Sequence, residues 1–148
     1  MPVRPAAATD IAAMMTIANR SATAAHWSES QYCSLFSTTD HGRMGWVMAE
    51  NSELLGFLVA RSVGPEWEIE NVAVIEPAQR RGVGTHLLTE FLRFIRLRGA
   101  TSVFLEVRES NLAAREFYKK WGMIERGRRP GYYADPPEDA LLYRLDLT

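Results

Sequence analysis

Cysteine is almost missing from this chain: among 148 residues only Cys33 carries a thiol. No internal disulfide can form, and neither Cys33 nor His26, His41 and His86 show metal-ligand spacing, so neither covalent staples nor a metal are expected. Long apolar runs are missing too. The longest, near Leu54 to Ala60, falls well short of the ~20 residues that cross a bilayer, which gives no support for membrane insertion. An excess of one charge is also lacking: the formal net charge of −1 provides no general footprint for nucleic acid. The first residues do not follow the charged-then-apolar order of a secretory signal, and the expected location is the cytoplasm. With no repeat, low-complexity stretch or linker to divide it, residues 1–148 are expected to form one domain. A chain of this size, 47% hydrophobic, can bury a sufficient core without staples.

Periodicity supplies the elements. A short strand is expected near Val3 to Pro5, followed by a helix that Asp10 can cap, with Ile11, Met14, Met15 and Ala18 on one face. Ser28 and Gln31 have capping-box spacing at the start of a second helix. Three strands then read as an antiparallel meander: Gly45 to Glu50, Leu54 to Val63 and Trp67 to Ile75, with turns at Asn51-Ser52 and Gly64-Pro65. A helix through Leu87, Leu88, Phe91 and Ile95 stops at Gly99. A strand at Ser102 to Arg108, a helix at Leu112 to Trp121, and strands around Met123 to Arg128 and Ala140 to Leu147 complete the order. A βαβ crossover makes the strands ending at Ile75 and Arg108 parallel, so the sheet is mixed.

The stretch Gln79-Arg80-Arg81-Gly82-Val83-Gly84-Thr85 lies between a strand and a helix, at the strand's carboxyl end, where ligands of such sheets bind. Two glycines allow a sharp turn, the first helical N–H groups have no intrahelical partner, and two arginines add positive charge. Together these predict a phosphate cradle. It lacks the Lys-Ser/Thr ending of a P-loop and the third glycine of a dinucleotide fingerprint, which leaves Gln-x-x-Gly-x-Gly.

That pattern, with the element order, resembles the GNAT N-acetyltransferase superfamily and within it the RimI-type ribosomal-protein-alanine N-acetyltransferases. Further blocks carry the likeness: Glu70-Asn71-Val72-Ala73-Val74 followed by Pro77, Leu105 to Asn111, Gly131-Tyr132-Tyr133 with Glu138-Asp139-Ala140, and Trp27-Ser28-Glu29. Two positions depart from the pattern. Gly131 stands where the family commonly has asparagine, and His26 where proline often precedes the tryptophan. The resemblance implies an α+β fold in the broad α/β class, a mixed sheet of about seven strands with about four helices, and a splayed parallel strand pair that forms the acetyl-CoA cleft.

It also implies roles. Acetyl-CoA would lie along the backbone of Val72, Ala73 and Val74, with its pyrophosphate on Gln79, Arg80, Arg81, Gly82, Val83, Gly84 and Thr85. Asn111 would hold the arm. Glu106 is expected as general base and Tyr118 as general acid, with Glu70 a rival base. Trp27, Glu70, Tyr132 and Tyr133 would shape the acceptor pocket. The chemistry fits these side chains, since a tyrosine of reference pKa about 10 stays protonated and can donate to a thiolate near 8.5. An α-amino group, with a reference pKa near 8, costs roughly 1.4 kcal/mol to deprotonate at pH 7, against about 4.6 for lysine. An N-terminal acceptor therefore demands less of its base.

Plainer readings stand beside these. Glu106 can be an ordinary strand residue, Tyr118 a core aromatic and Asn111 a helix cap, while Arg126, Arg128 and Arg129 can form a solvated rim. The expected function is acetyl transfer to a protein N-terminus, that of a ribosomal protein by resemblance, in a monomer or weak dimer. A small-molecule amine as acceptor, or a non-catalytic CoA-binding module, remains the alternative.

Overall fold

Short alternating apolar segments can be buried only by pairing into a sheet, and the computed structural model shows how they pair. It describes residues 2–25, 27–37, 42–79, 81–134 and 136–147. Seven strands, β1 (Val3–Pro5), β2 (Arg43–Glu50), β3 (Glu53–Val63), β4 (Glu66–Val74), β5 (Ser102–Arg108), β6 (Ile124–Ala134) and β7 (Pro137–Asp146), form one sheet in the order β1-β2-β3-β4-β5-β7-β6. Every neighbouring pair is antiparallel except β4 with β5. The helices are α1 (Ile11–Ala18), α2 (Glu29–Cys33), the single turn α3 (Glu76–Gln79), α4 (Val83–Arg96) and α5 (Leu112–Lys120). Among the described residues the short α3 brings the α-helices to five, where about four are expected from the sequence. Asn51 and Ser52, both at positive φ, make the β2–β3 turn.

The helices cover the two faces of the sheet. On one, Leu87, Phe91 and Ile95 of α4 and Tyr118 of α5 pack on Trp46, Met48, Leu58, Val72, Val74, Val103 and Leu105. Fully burying a side chain such as Leu87, Phe91 or Ile95 is worth roughly 1.5–3 kcal/mol, which explains why the i, i+4, i+8 stripe dictates how α4 lies. On the other face, Met14, Ile17 and Ala18 of α1 join Tyr32 against Val47, Phe57, Val59 and Ala73.

One irregularity in β4 prepares the site. Val59 pairs with Asn71 and Ala60 with Ile69, so Glu70 is the extra residue of a β-bulge. The bulge shifts the alternation by one: Trp67 and Ile69 before it, and Val72 and Val74 after it, all enter the same core. A regular strand would have turned one of these sets to the opposite face.

At the amino-terminal edge, the expectation for Asp10 needs correction. Its side chain makes no cap bond to α1. Instead it accepts from the Ala7 N–H at 2.7 Å and pairs with Arg4 at 2.8 Å, closing a 3-10 turn over Ala8–Asp10 that ties β1 to the helix. Arg4 holds the Asp10 carboxyl below its ordinary range, chiefly through the hydrogen bond. Ser28 and Gln31 do form the reciprocal capping box of α2.

Candidate active site

The parallel pair gives the site its position. β4 and β5 are in register only from Glu66↔Ser102 to Glu68↔Phe104, yet β4 continues to Val74 and β5 to Arg108. Past that point the strands separate and leave backbone groups without a ladder partner. Such groups must find other acceptors and donors when buried. The chain between α1 and α2 supplies one, with Thr23 Oγ1 donating to the Val72 carbonyl at 2.8 Å, and it also grips the Asn71 side chain, whose Oδ1 accepts from the Ala25 N–H at 2.9 Å. Asn71 in turn donates to the Tyr32 hydroxyl at 3.0 Å. From below, Gln79 Nε2 donates to the Val74 carbonyl at 3.0 Å. Each carbonyl keeps a second lone pair, so Val72 and Val74 can still accept from a ligand lying along the strand.

The helix α5 closes the other side. Asn111 is its cap, accepting from the Ala114 N–H at 3.1 Å, and its Nδ2 donates to the Ala22 carbonyl at 2.6 Å. About two turns further on, the buried Tyr118 hydroxyl donates to the Thr23 carbonyl at 3.3 Å. Burial pushes the Tyr118 phenol well above its ordinary value, with the nearby Tyr133 adding to the effect, so the group keeps its proton at any working pH.

Between these elements lies a cavity of about 960 Å³ that includes Arg20, Thr23, Val74, Gln79, Ala113 and Phe117 in its wall. Its size lies at the upper end of ligand pockets. The α4 amino terminus follows Gln79 in the chain. Gly82 caps it at φ 77°, a left-handed conformation that favours glycine, and the first closed bond runs from the His86 N–H to the Gly82 carbonyl at 3.0 Å. The N–H groups of Val83, Gly84 and Thr85 therefore have no intrahelical acceptor. Gly84 has a different reason to be glycine: a Cβ there would stand 3.2 Å from the Phe117 ring, so its small size lets α4 pack against α5. Arg81 pairs with Glu50 at 2.6 Å. Arg80 and His26 lie outside the described residues.

The two candidate bases sit in unlike surroundings. Leu105 and Val107 point into the α4/α5 core, so Glu106 faces the α1/α2 side, opposite the layer that holds Tyr118. Its side chain is 12% exposed; Oε1 is 3.4 Å from Arg129 Nη2, and Oε2 is buried with no hydrogen-bond partner among the described residues. Burial raises the Glu106 carboxyl above its ordinary value, Arg129 opposes this, and Glu68 adds to it. Glu70, by contrast, is bidentate with Arg43 at 2.6 and 2.8 Å. Arg43 also donates to Ser34 Oγ at 3.1 Å and lies 5.4 Å from the Trp27 ring centre. Trp27 packs edge-on against Tyr32.

On the far side of Glu106, the β6–β7 ribbon carries the remaining aromatics. Tyr132 and Tyr133 meet edge to face at 5.1 Å, beneath Arg129 and Arg108 respectively. The Tyr133 phenol is raised by burial and by the charge of Glu106. Gly131 is held at φ 62°, its N–H donating to Asp139, and Arg128 pairs with both Glu109 and Asp139.

Sequence reasoning missed Thr23, Asn71 and Arg129 as members of this site. Asn71 carried a signal, a polar residue inside the apolar run of β4. Thr23 had none, because its partners are far away in the chain.

Residues 11–123 match the Acetyltransferase (GNAT) family. The chain belongs to that family. This acetyltransferase is 32% identical over 142 residues to the [ribosomal protein bS18]-alanine N-acetyltransferase of Escherichia coli K12, covering 95% of this chain and 93% of the relative. The crystal structure of the Escherichia coli ribosomal-protein-S18-alanine N-acetyltransferase superposes with a TM-score of 0.82 at 30% identity, covering 99% of this chain and 94% of that one. Ard1 from Thermoplasma volcanium gives a TM-score of 0.82 at 28% identity over 99% and 97% of the two chains. Members of the GNAT family use acetyl-CoA. Among the described residues there is no cluster of three or more potential metal ligands, and no helix is long and apolar enough to cross a membrane.

Proposed function

We propose that residues 1–148 act as one domain that transfers the acetyl group of acetyl-CoA to the α-amino group of a protein N-terminus, by direct attack in a ternary complex. The observation that supports this acceptor class is likeness over 95% of the chain to an enzyme named for the alanine of ribosomal protein bS18. When bound, acetyl-CoA supplies an activated thioester. The amides of Val83, Gly84 and Thr85 after Gly82, which have no acceptor within the helix, hold its pyrophosphate together with Gln79 and Arg81, and Arg80 is assigned there from its place in the sequence. Val72, Ala73 and Val74 offer backbone partners along the opened edge of β4, and Asn111 steadies the arm.

Glu106 takes the proton of the amine. Its raised pKa brings it nearer to the working pH than an ordinary glutamate, which favours general base catalysis. Tyr118, held protonated, has a proton to give to the departing thiolate. Trp27, Tyr132 and Tyr133 line the acceptor's approach, and Glu70 acts on it through Arg43 and Trp27.

Incubation with acetyl-CoA and peptides beginning with alanine, read by mass spectrometry, tests the reading. Acetylation at the α-amine is the expected product. Turnover confined to a panel of small amines would transfer the acceptor role to them, and binding of acetyl-CoA without any product would reduce the chain to a CoA-binding module.

A further inference from the structure

Glu106 has one oxygen near a cation and one with no partner among the described residues, an arrangement that calls for explanation because an unsatisfied buried carboxylate oxygen costs free energy. The occupied oxygen, Oε1, faces Arg129, which comes from β6, two strands away in the sheet. The route across is open: Gly127 is level with Glu106 across Leu142, and a Cβ built at Gly127 would meet only the Leu142 side chain, at 3.7 Å. Arg129 is steadied in turn by the Tyr132 ring, 5.2 Å from its guanidinium. Of the residues assigned roles in transfer, none includes Arg129.

We propose that Arg129 is a positioning residue for Glu106: it holds Oε1, fixes the rotation of the carboxylate and leaves Oε2 as the seat for the acceptor's amine. This inference rests on the reading of Glu106 as the base. An ammonium or amine arriving at Oε2 gives the orphaned oxygen its missing donor, and Arg129 prevents the carboxylate from turning to present both oxygens elsewhere. Being 63% exposed, Arg129 holds the charge without being locked in place. The other charged or titratable groups near Glu106 are already engaged. Glu68 of β4 pairs with Arg61, Arg108 of β5 pairs with Glu138 of β7, and Tyr133 of β6 lies beneath Arg108. Among the described residues, removing Arg129 removes the cation that pairs with Oε1.

The test is NMR titration of the Glu106 carboxyl in the intact protein, assigned with Glu106→Gln, alongside steady-state kinetics with an N-terminal peptide. In Arg129→Met the Glu106 titration is expected to move upward by about one pH unit at low salt, and by less at high salt, because an exposed cation is screened. Here kcat is expected to fall while KM for acetyl-CoA stays unchanged, and Arg129→Lys, which restores the charge, recovers part of both effects. An unchanged Glu106 titration together with unchanged kcat in Arg129→Met would overturn the proposal while leaving Glu106 as base. Undiminished activity in Glu106→Gln would instead overturn the reading on which it rests.

Discussion

Glu70 and Glu106 lie on neighbouring strands, and their surroundings differ in completeness. Glu70 is the bulge residue of β4, with both oxygens on Arg43 and that arginine resting near Trp27. Glu106, beside the point where β4 and β5 part, has one oxygen near Arg129 and another with no partner among the described residues. A satisfied carboxylate is held in one place, with a donor already on each oxygen. An incompletely satisfied one is raised in pKa and lacks a donor that a substrate can provide. In the proposed reaction Glu106 is therefore the base, and Glu70 is part of the framework that holds the acceptor wall.

The contrast can first be sharpened from the acid side. Tyr118→Phe keeps the ring packing and removes only the hydroxyl, so kcat is expected to fall about 10²-fold or more, as for loss of a general acid, with the fold intact by circular dichroism. A smaller effect follows from breaking Glu70's network. Glu70→Gln takes the carboxylate charge out of the bidentate contact with Arg43, and denaturant unfolding is expected to show a loss of about 1–3 kcal/mol. The peptide KM rises because Trp27 loses its support, while kcat falls far less than for a missing base.

Gly84→Ala comes next. The new methyl group must push Phe117 by a few tenths of an ångström, and crowding of this kind costs typically ~1–3 kcal/mol, of which a flexible contact takes the lower part. Calorimetry should show weaker acetyl-CoA binding in the same variant. The smallest effect concerns pH. The folded Glu106 carboxyl is raised, so the wild-type protein loses stability as pH rises from the unfolded value of about 4.3 through the folded one. Glu106→Gln escapes that loss. Its melting temperature should exceed wild type at neutral pH, with the advantage disappearing below about pH 4.

Much of this architecture was legible from local pattern. β1 and β5 run over the residues that periodicity indicates, the α4 stripe is buried, and the Ser28–Gln31 box caps α2. Those features depend on neighbours within a few residues. β6 reaches Ala134, well past the Arg128 expected, because its polar outer stretch has no apolar alternation and is held instead by pairing with β7. Likewise the β4 bulge, the Thr23 and Asn71 links across the gap and the reach of Arg129 to Glu106 depend on residues brought together from distant parts of the chain. The cradle glycines show both cases: Gly82 answers to its own φ, whereas Gly84 answers to a phenylalanine on another helix.

The most direct test of the central claim compares Glu106→Gln with Glu70→Gln in one assay, at saturating acetyl-CoA with an alanine N-terminal peptide, over a range of pH. If Glu106 is the base, its variant loses roughly 10²–10⁴ in kcat while Glu70→Gln keeps most of it. The reverse ranking would contradict the account.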